Sequence, residues 1–227
     1  MGQSIVKSFL IFCLAWSYLI TNAQQEASST QRGHTEGNIN YDSLRIALEE
    51  MYDVDQEIRR ILIDSIGLDS PEAPKYFNHM ATIDMQNKIK IKSMLDKYGW
   101  IGQSKIGKKA AEGIFYVVQH TDLEFVEKYF TQFKQLAEKG EADPTRCAQM
   151  EDRLLMWKGK KQIYGTQANS ILRPDKSYAI WPIENPGGVN ELRKKIGFTT
   201  TVEENATRLN AAYDPNEKLP TEIKSSN

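Results

Sequence analysis

Apolar positions recur at three- and four-residue steps through most of the chain, the period of helices that turn one face to a core. The first such stretch starts at Tyr41. There Leu44, Leu48, Met51, Ile58 and Leu62 form a stripe that is continuous only if Asp55 fills the slot between Met51 and Ile58. Arg59 lies one turn beyond Asp55, within pairing reach on a helix face. Gly67, Asp69, Ser70 and Pro71 end the pattern. A second helix is predicted over residues 74–98, with Phe77, Met80, Ile91, Met94 and Tyr98 as its stripe. Asp84 and Asn87 occupy the gaps in that stripe, Lys88, Lys90 and Lys92 lie on the wet side, and Gly99-Trp100 stops the helix.

A third helix is predicted over residues 106–120, with Ile106, Ala110, Gly113 and Val117 in a row that His120 extends. Its small residues call for close approach to a neighbour. A fourth follows to about residue 138, N-capped by Asp122, with Val126, Phe130, Phe133 and Ala137 inward. The fifth starts near Pro144 and places Ala148, Asp152 and Leu155 on one row before the Gly159 region ends it. After that the period shortens. Residues 162–166 and 177–181 read as two strands of a hairpin joined through Arg173-Pro174-Asp175-Lys176. Two short helices, residues 189–195 and 202–212, close the domain, and Thr201 with Glu204 forms a capping box for the second. The expected fold is therefore mainly α: one helical domain, residues 41–213, of about five main helices with a small C-terminal β-hairpin and two closing helices.

Composition changes this picture little at the centre of the chain and more at its ends. With 227 residues, 40% hydrophobic and 26% charged, the chain can bury one core. Its 29 basic and 30 acidic residues give a formal charge of −1, and no basic face marks it for nucleic acid. Lys105, Lys108 and Lys109 read as a solvated helix face. At the N-terminus Lys7 precedes an apolar run, residues 9–20, followed by small residues up to Ala23. That is the layout of a cleaved signal peptide over residues 1–23, and the run is short for a membrane span. Export, to the periplasm or beyond, with no stable transmembrane span after cleavage, is the expectation. Residues 24–40, which include His34, are polar and aperiodic and read as a tether, and residues 214–227 as a disordered tail. Cys13 goes with the leader, so Cys147 is left without an internal disulfide partner.

The candidate chemistry comes from polar residues standing where helix periodicity asks for apolar ones: Asp55, Asp84 with Asn87, His120 and Asp152. A buried carboxylate must be paired, hydrogen-bonded, metal-bound or at a wet cleft. Such misfits on four of the five main helices, followed by Gln162-Ile163-Tyr164-Gly165-Thr166-Gln167, point to a shared polar site. Histidine titrates near neutrality, so His120 can act as a general base with Asp55 or Asp152 fixing its tautomer. Arg59 or Arg153 can hold an anionic substrate group. Gln56, Asp84, Asn87, Gln162, Tyr164 and Gln167 complete the candidate ligand-binding set. Two other readings stay open: each carboxylate as an internal ion pair that fixes packing, and Asp55, Asp84, His120 and Asp152 as hard ligands for a metal. Neither a cofactor nor a partner is specified. No HExxH, Gly-x-Ser-x-Gly, Walker or dinucleotide loop is present. The leading reading is hydrolytic or ligand-processing; the rival is a non-enzymatic binding module of the cell envelope whose groove would be lined by Trp100, Trp157, Tyr164 and Trp181, and a third is a structural helical protein whose polar core fixes packing.

The order Asp55-Gln56 with Arg59, Asp84 with Asn87, Gly99-Trp100, Gln119-His120, Asp152-Arg153, the Gln162–Gln167 element, then Arg193 with Gly197, resembles an uncharacterised bacterial family known only as a domain of unknown function. The resemblance covers residues 44–198. It departs at Ile101, where the family pattern often has proline, and it implies no known activity.

Overall fold

The computed structural model describes residues 39–220. The signal segment expected over residues 1–23, the tether up to residue 38 and the last seven residues of the tail lie outside them. Helix α1 spans Tyr41–Arg60 and buries Leu48, Met51, Asp55 and Ile58, so the acidic residue does sit in the apolar stripe. It runs on as a π-helical stretch, Ile61–Ile66. Gly67, at φ +83°, closes that stretch by donating its N–H to Leu62 O at 2.9 Å, five residues back.

Helix α2 spans Ala73–Tyr98. Its buried row is Ala73, Asn87, Ile91 and Leu95, so Asn87 is inward as read. Phe77, assigned to the stripe, is exposed, and Met80 is half-buried. The main core draws Ile91, Met94, Leu95 and Tyr98 from this helix, and the opening turns reach past it.

The single helix expected over residues 106–120 is broken in two. Gly107, at φ +81°, separates α3 (Gln103–Ile106) from α4 (Lys108–Gln119). The predicted row Ile106, Ala110, Gly113 and Val117 is buried all the same. A Cβ on Gly113 would lie 2.5 Å from the Leu48 carbonyl oxygen, so α4 can pack this closely on α1 only with glycine there.

Helix α5 (Leu123–Glu138) is capped by Asp122, which accepts from Phe125 N–H at 2.9 Å. Helix α6 (Pro144–Trp157) is capped by Asp143, which accepts from Thr145 N–H at 2.8 Å. These helices share one core in which Trp100 stacks on Phe133, with ring centroids 4.3 Å apart.

The C-terminal part has a smaller apolar cluster of Ile180, Ile183, Val189, Val202 and Ala206. Strand β1 (Ala168–Asn169) pairs antiparallel with β2 (Tyr178–Ile180), Ala168 facing Ile180, and a 3-10 turn (Ser170–Leu172) follows β1. Helix α7 (Val189–Ile196) and helix α8 (Val202–Arg208) precede β3 (Ala211–Ala212), which pairs parallel with β2. Both arms of the expected capping box form: Glu204 N–H to Thr201 Oγ1 at 3.2 Å, and Thr201 N–H to Glu204 Oε2 at 2.8 Å.

Two boundaries differ from the sequence reading. The first strand begins at Ala168, not Gln162, because residues 162–166 are spent on wrapping a carboxylate, with Gln162 alone bridging Ile183. The last helix stops at Arg208, since Asn210 takes a left-handed φ of +49° and turns the chain into β3. Beyond it Glu217 pairs with Arg173, which holds the first part of the expected tail to the domain. Among the described residues no helix is long and apolar enough to cross a membrane.

Candidate functional site

The misfit residues resolve into two clusters. The first is built where α1, α2 and the end of α4 meet. Asp55, 1% exposed, accepts from Gln56 Nε2 at 2.7 Å and from Arg59 Nη1 at 3.0 Å. Arg59 reaches Asp55 because the two are one helical turn apart. Its other nitrogen, Nη2, crosses to α2 and donates to both oxygens of Asp84, at 2.8 and 2.9 Å. His120, the residue that caps α4, brings Nδ1 to within 3.0 Å of Asp55 Oδ1. Burial alone would push the Asp55 carboxyl up, but the contacts with His120, Arg59 and Gln56 outweigh it and hold the group below the ordinary aspartate range. The His120 side chain keeps 17% of its surface exposed.

Asp55, Asp84 and His120 also satisfy the geometry of a metal cluster, each offering one ligand-type atom within 4.8 Å of the others. The donor set of two carboxylates and an imidazole fits a hard or borderline divalent ion. Arg59 already neutralises both carboxylates, so a cation would have to displace its guanidinium. Asp152, included in the sequence-based metal set, does not belong to this group.

The second cluster surrounds Asp152, which is fully buried on α6. Its Oδ1 accepts from Ile163 and Tyr164 N–H at 2.7 and 3.1 Å, and its Oδ2 from Thr166 N–H and Oγ1 at 3.0 and 2.9 Å. Burial pushes this carboxyl up to about 6, with the four donors pulling the other way. Gln162, also fully buried, ties the loop to itself and to β2: Nε2 donates to Gln167 O and Trp181 O, and Oε1 accepts from Gln167 N–H. From the far side Arg193 Nη1 donates to Tyr164 O at 2.8 Å and Asn205 Nδ2 to Gly165 O at 2.9 Å. Gly165 is required here. Its φ is +66°, and a Cβ would meet Val202 at 2.6 Å and Ile183 at 2.9 Å.

The structure therefore brings His120, Asp55, Gln56, Arg59 and Asp84 together, with Asn87 buried on the same helix as Asp84. It separates Asp152 from His120: every hydrogen bond of Asp152 goes to the 163–166 loop, so Asp55 alone orients the imidazole. Gln162 and Asp152 hold the loop in shape through its backbone, and Tyr164 contributes its own backbone N–H and carbonyl to the same network. The aromatics expected to line a groove are largely core. Trp100 is 7% exposed and Trp181 is 2%, and the Trp181 indole N–H is satisfied by Lys160 O at 2.7 Å. Cys147 is buried, and burial pushes its thiol up to about 12, far from a nucleophile.

Between the two clusters lies a cleft of about 610 Å³. Of the predicted residues, Arg153 and Gln167 line it. Arg153 Nη1 donates to Gln119 O at 3.1 Å, while Arg153 Nε and Gln119 Oε1 are buried without a partner. His120 follows Gln119 in the chain, and its ring lies 6.1 Å from that of Tyr116, another lining residue. Sequence reasoning missed Gln119, Tyr116, Arg146, Gln149 and Arg208 at this cleft. The arginines were masked by acidic residues at pairing distance in the sequence. Asp143, three residues before Arg146, and Glu204, four before Arg208, are both in cap positions, so neither is free to pair at helix spacing.

The chain belongs to DUF6624, a family of unknown function whose model matches residues 42–218. The match spans both clusters and the cleft. No curated protein and no solved structure is detectably similar to the chain.

Proposed function

We propose that the protein binds a small polar ligand in the cleft between α4 and α6 and processes it hydrolytically, with His120 as general base. The observation that carries this reading is the 3.0 Å contact between His120 Nδ1 and Asp55 Oδ1, next to a cleft with unsatisfied polar groups. An ionised Asp55 accepts a hydrogen bond from Nδ1–H, which keeps the proton on Nδ1 and leaves the lone pair on Nε2 free to take a proton from water or from a substrate hydroxyl. Gln56 and Arg59 fix Asp55, and Asp84 fixes Arg59, so the orienting group is itself held on both sides. Expected for His120→Ala is loss of turnover on a panel of esters, amides and glycosides with a melting temperature within a few degrees of the parent. Retained turnover overturns the assignment.

A second reading is favoured by the arginines of the cleft, which do not belong to the His120–Asp55 pair. It is a binding module without turnover, and His120→Ala then leaves ligand affinity unchanged. Either role is exercised outside the cytoplasm, a reading supported by Lys7, the apolar run of residues 9–20 and Ala23. N-terminal sequencing of protein from an exporting host should give a mature chain starting at Gln24; an intact Met1 would remove the export proposal.

A further inference from the structure

The cleft has a charge character that the His120–Asp55 pair does not explain. Eight arginines lie among the described residues. Arg45, Arg59, Arg60 and Arg173 pair with carboxylates. Arg193 spends its donors on Thr200 O, Thr200 Oγ1 and Tyr164 O. The other three, Arg146, Arg153 and Arg208, form no ion pair among the described residues, and all three line the same cleft.

Each is held in place by neutral groups. The Arg146 guanidinium lies over the Tyr116 and Phe115 rings, 4.9 and 5.4 Å from their centroids, and Nη1 donates to Gln149 Oε1 at 3.1 Å. Such stacking fixes the plane of the guanidinium and leaves its edge free for a ligand. Arg208 donates Nε and Nη2 to Asn205 Oδ1, at 3.3 and 2.9 Å, which leaves Nη1 unused. Arg153 has one bond, to Gln119 O, and a buried Nε with none. Burial, and after it the nearby charge of Arg59, lowers Arg153 to about 10, a sign that its charge is poorly compensated. Asp69 is the one acidic residue lining the cleft, and it is exposed.

We propose that this cleft takes a small anion of at least two negative charges, a phosphoryl-bearing molecule. The inference rests on reading the cleft as a ligand site and deepens that reading. In the lining of this cleft three guanidiniums that form no ion pair meet one carboxylate, that of Asp69. A phosphoryl or diphosphoryl group supplies the charge together with several acceptor oxygens, and guanidinium forks match such oxygens bidentately. The buried Arg153 Nε is a donor without a partner on a residue that lines the cleft.

The test is thermal melting with inorganic phosphate, pyrophosphate and acetate at constant ionic strength, since a ligand that binds only the folded state raises the melting temperature. Pyrophosphate should raise the melt by several degrees, phosphate by less, and acetate not at all. Arg153→Gln should abolish the pyrophosphate shift. Arg208→Gln, at a more open position where folding is not at stake, should weaken pyrophosphate at least about tenfold, the equivalent of one charge-assisted hydrogen bond. No pyrophosphate shift in the parent, an equal shift with acetate, or an unchanged shift in Arg208→Gln would each overturn the proposal. His120→Ala separates it from the general-base assignment, because that variant must keep the pyrophosphate shift whatever becomes of turnover.

Discussion

Asp55 and Asp152 make the same impression on the sequence, a carboxylate in the apolar stripe of a helix, and both are buried to 1% exposure or less. Their partners differ in kind. Asp55 is held by side chains that carry or can carry charge, Arg59 and His120, with Gln56 besides. Asp152 is held by the neutral N–H groups of Ile163, Tyr164 and Thr166 and by one hydroxyl. A carboxylate whose acceptor sites are filled by backbone is an organiser of chain: it sets the path of a loop that would otherwise leave buried N–H groups unpaired. A carboxylate that grips an imidazole passes its influence to a ring with a second, uncommitted nitrogen. The position in the stripe marks both as unusual, and the chemistry of the partner decides which can act.

That contrast breaks most readily on truncation. Asp152→Ala would orphan three backbone N–H groups in a closed interior, at about 1–3 kcal/mol for each. A loss of about 5 kcal/mol follows, enough to unfold a domain of ordinary stability or to release the 162–167 loop. Asp55→Ala should cost less, about 2 kcal/mol, because Arg59 keeps its two bonds to Asp84 and His120 lies near solvent. Urea midpoints for the two variants measure the difference. A more stable Asp152→Ala than Asp55→Ala would mean that the loop finds other partners and that Asp152 is not its anchor.

The helices were legible because a 3.6-residue period survives the insertion of one polar residue per stripe, and that same regularity made Asp55, Asn87 and Asp152 stand out. The pairing of Asp55 with Arg59 followed from helix spacing alone. What joins Asp55 to His120 spans 65 positions and depends on how closely α4 lies on α1, which Gly113 permits but does not announce. The 162–167 element misled for a physical reason. It reads as a strand because the helical period stops before it, yet the N–H groups of Ile163, Tyr164 and Thr166 point to one carboxylate, and Gln162 alone donates across, to Pro182 O. The cleft arginines were hidden differently, since Asp143 and Glu204 stand at pairing distance in sequence while serving as helix caps.

The smaller and sharper expectation concerns acid. Asp152 holds its proton to about pH 6 in the folded chain, against an ordinary value of 3.8. Between those values the folded state carries the proton and the unfolded chain does not. Lowering the pH through this window therefore favours the fold, and the penalty for ionised Asp152 is fully present above it, on the order of 2–3 kcal/mol. Asp55 works in the opposite sense. Its folded value is depressed, so its stabilisation is present above the ordinary aspartate range and is lost as pH falls through the folded value. Carboxyl carbon chemical shifts followed by NMR read both groups directly, with Asp152 titrating last on acidification's reverse, near pH 6, and Asp55 below its usual range. Melting temperatures between pH 4 and 6 supply the energetic counterpart, with Asp55→Asn expected to flatten the loss below pH 4 and to leave the 4–6 window unchanged. If Asp152 titrated in the ordinary range instead, its four donors would be outweighing burial. The two carboxylates would then differ in their partners but not in their response to acid.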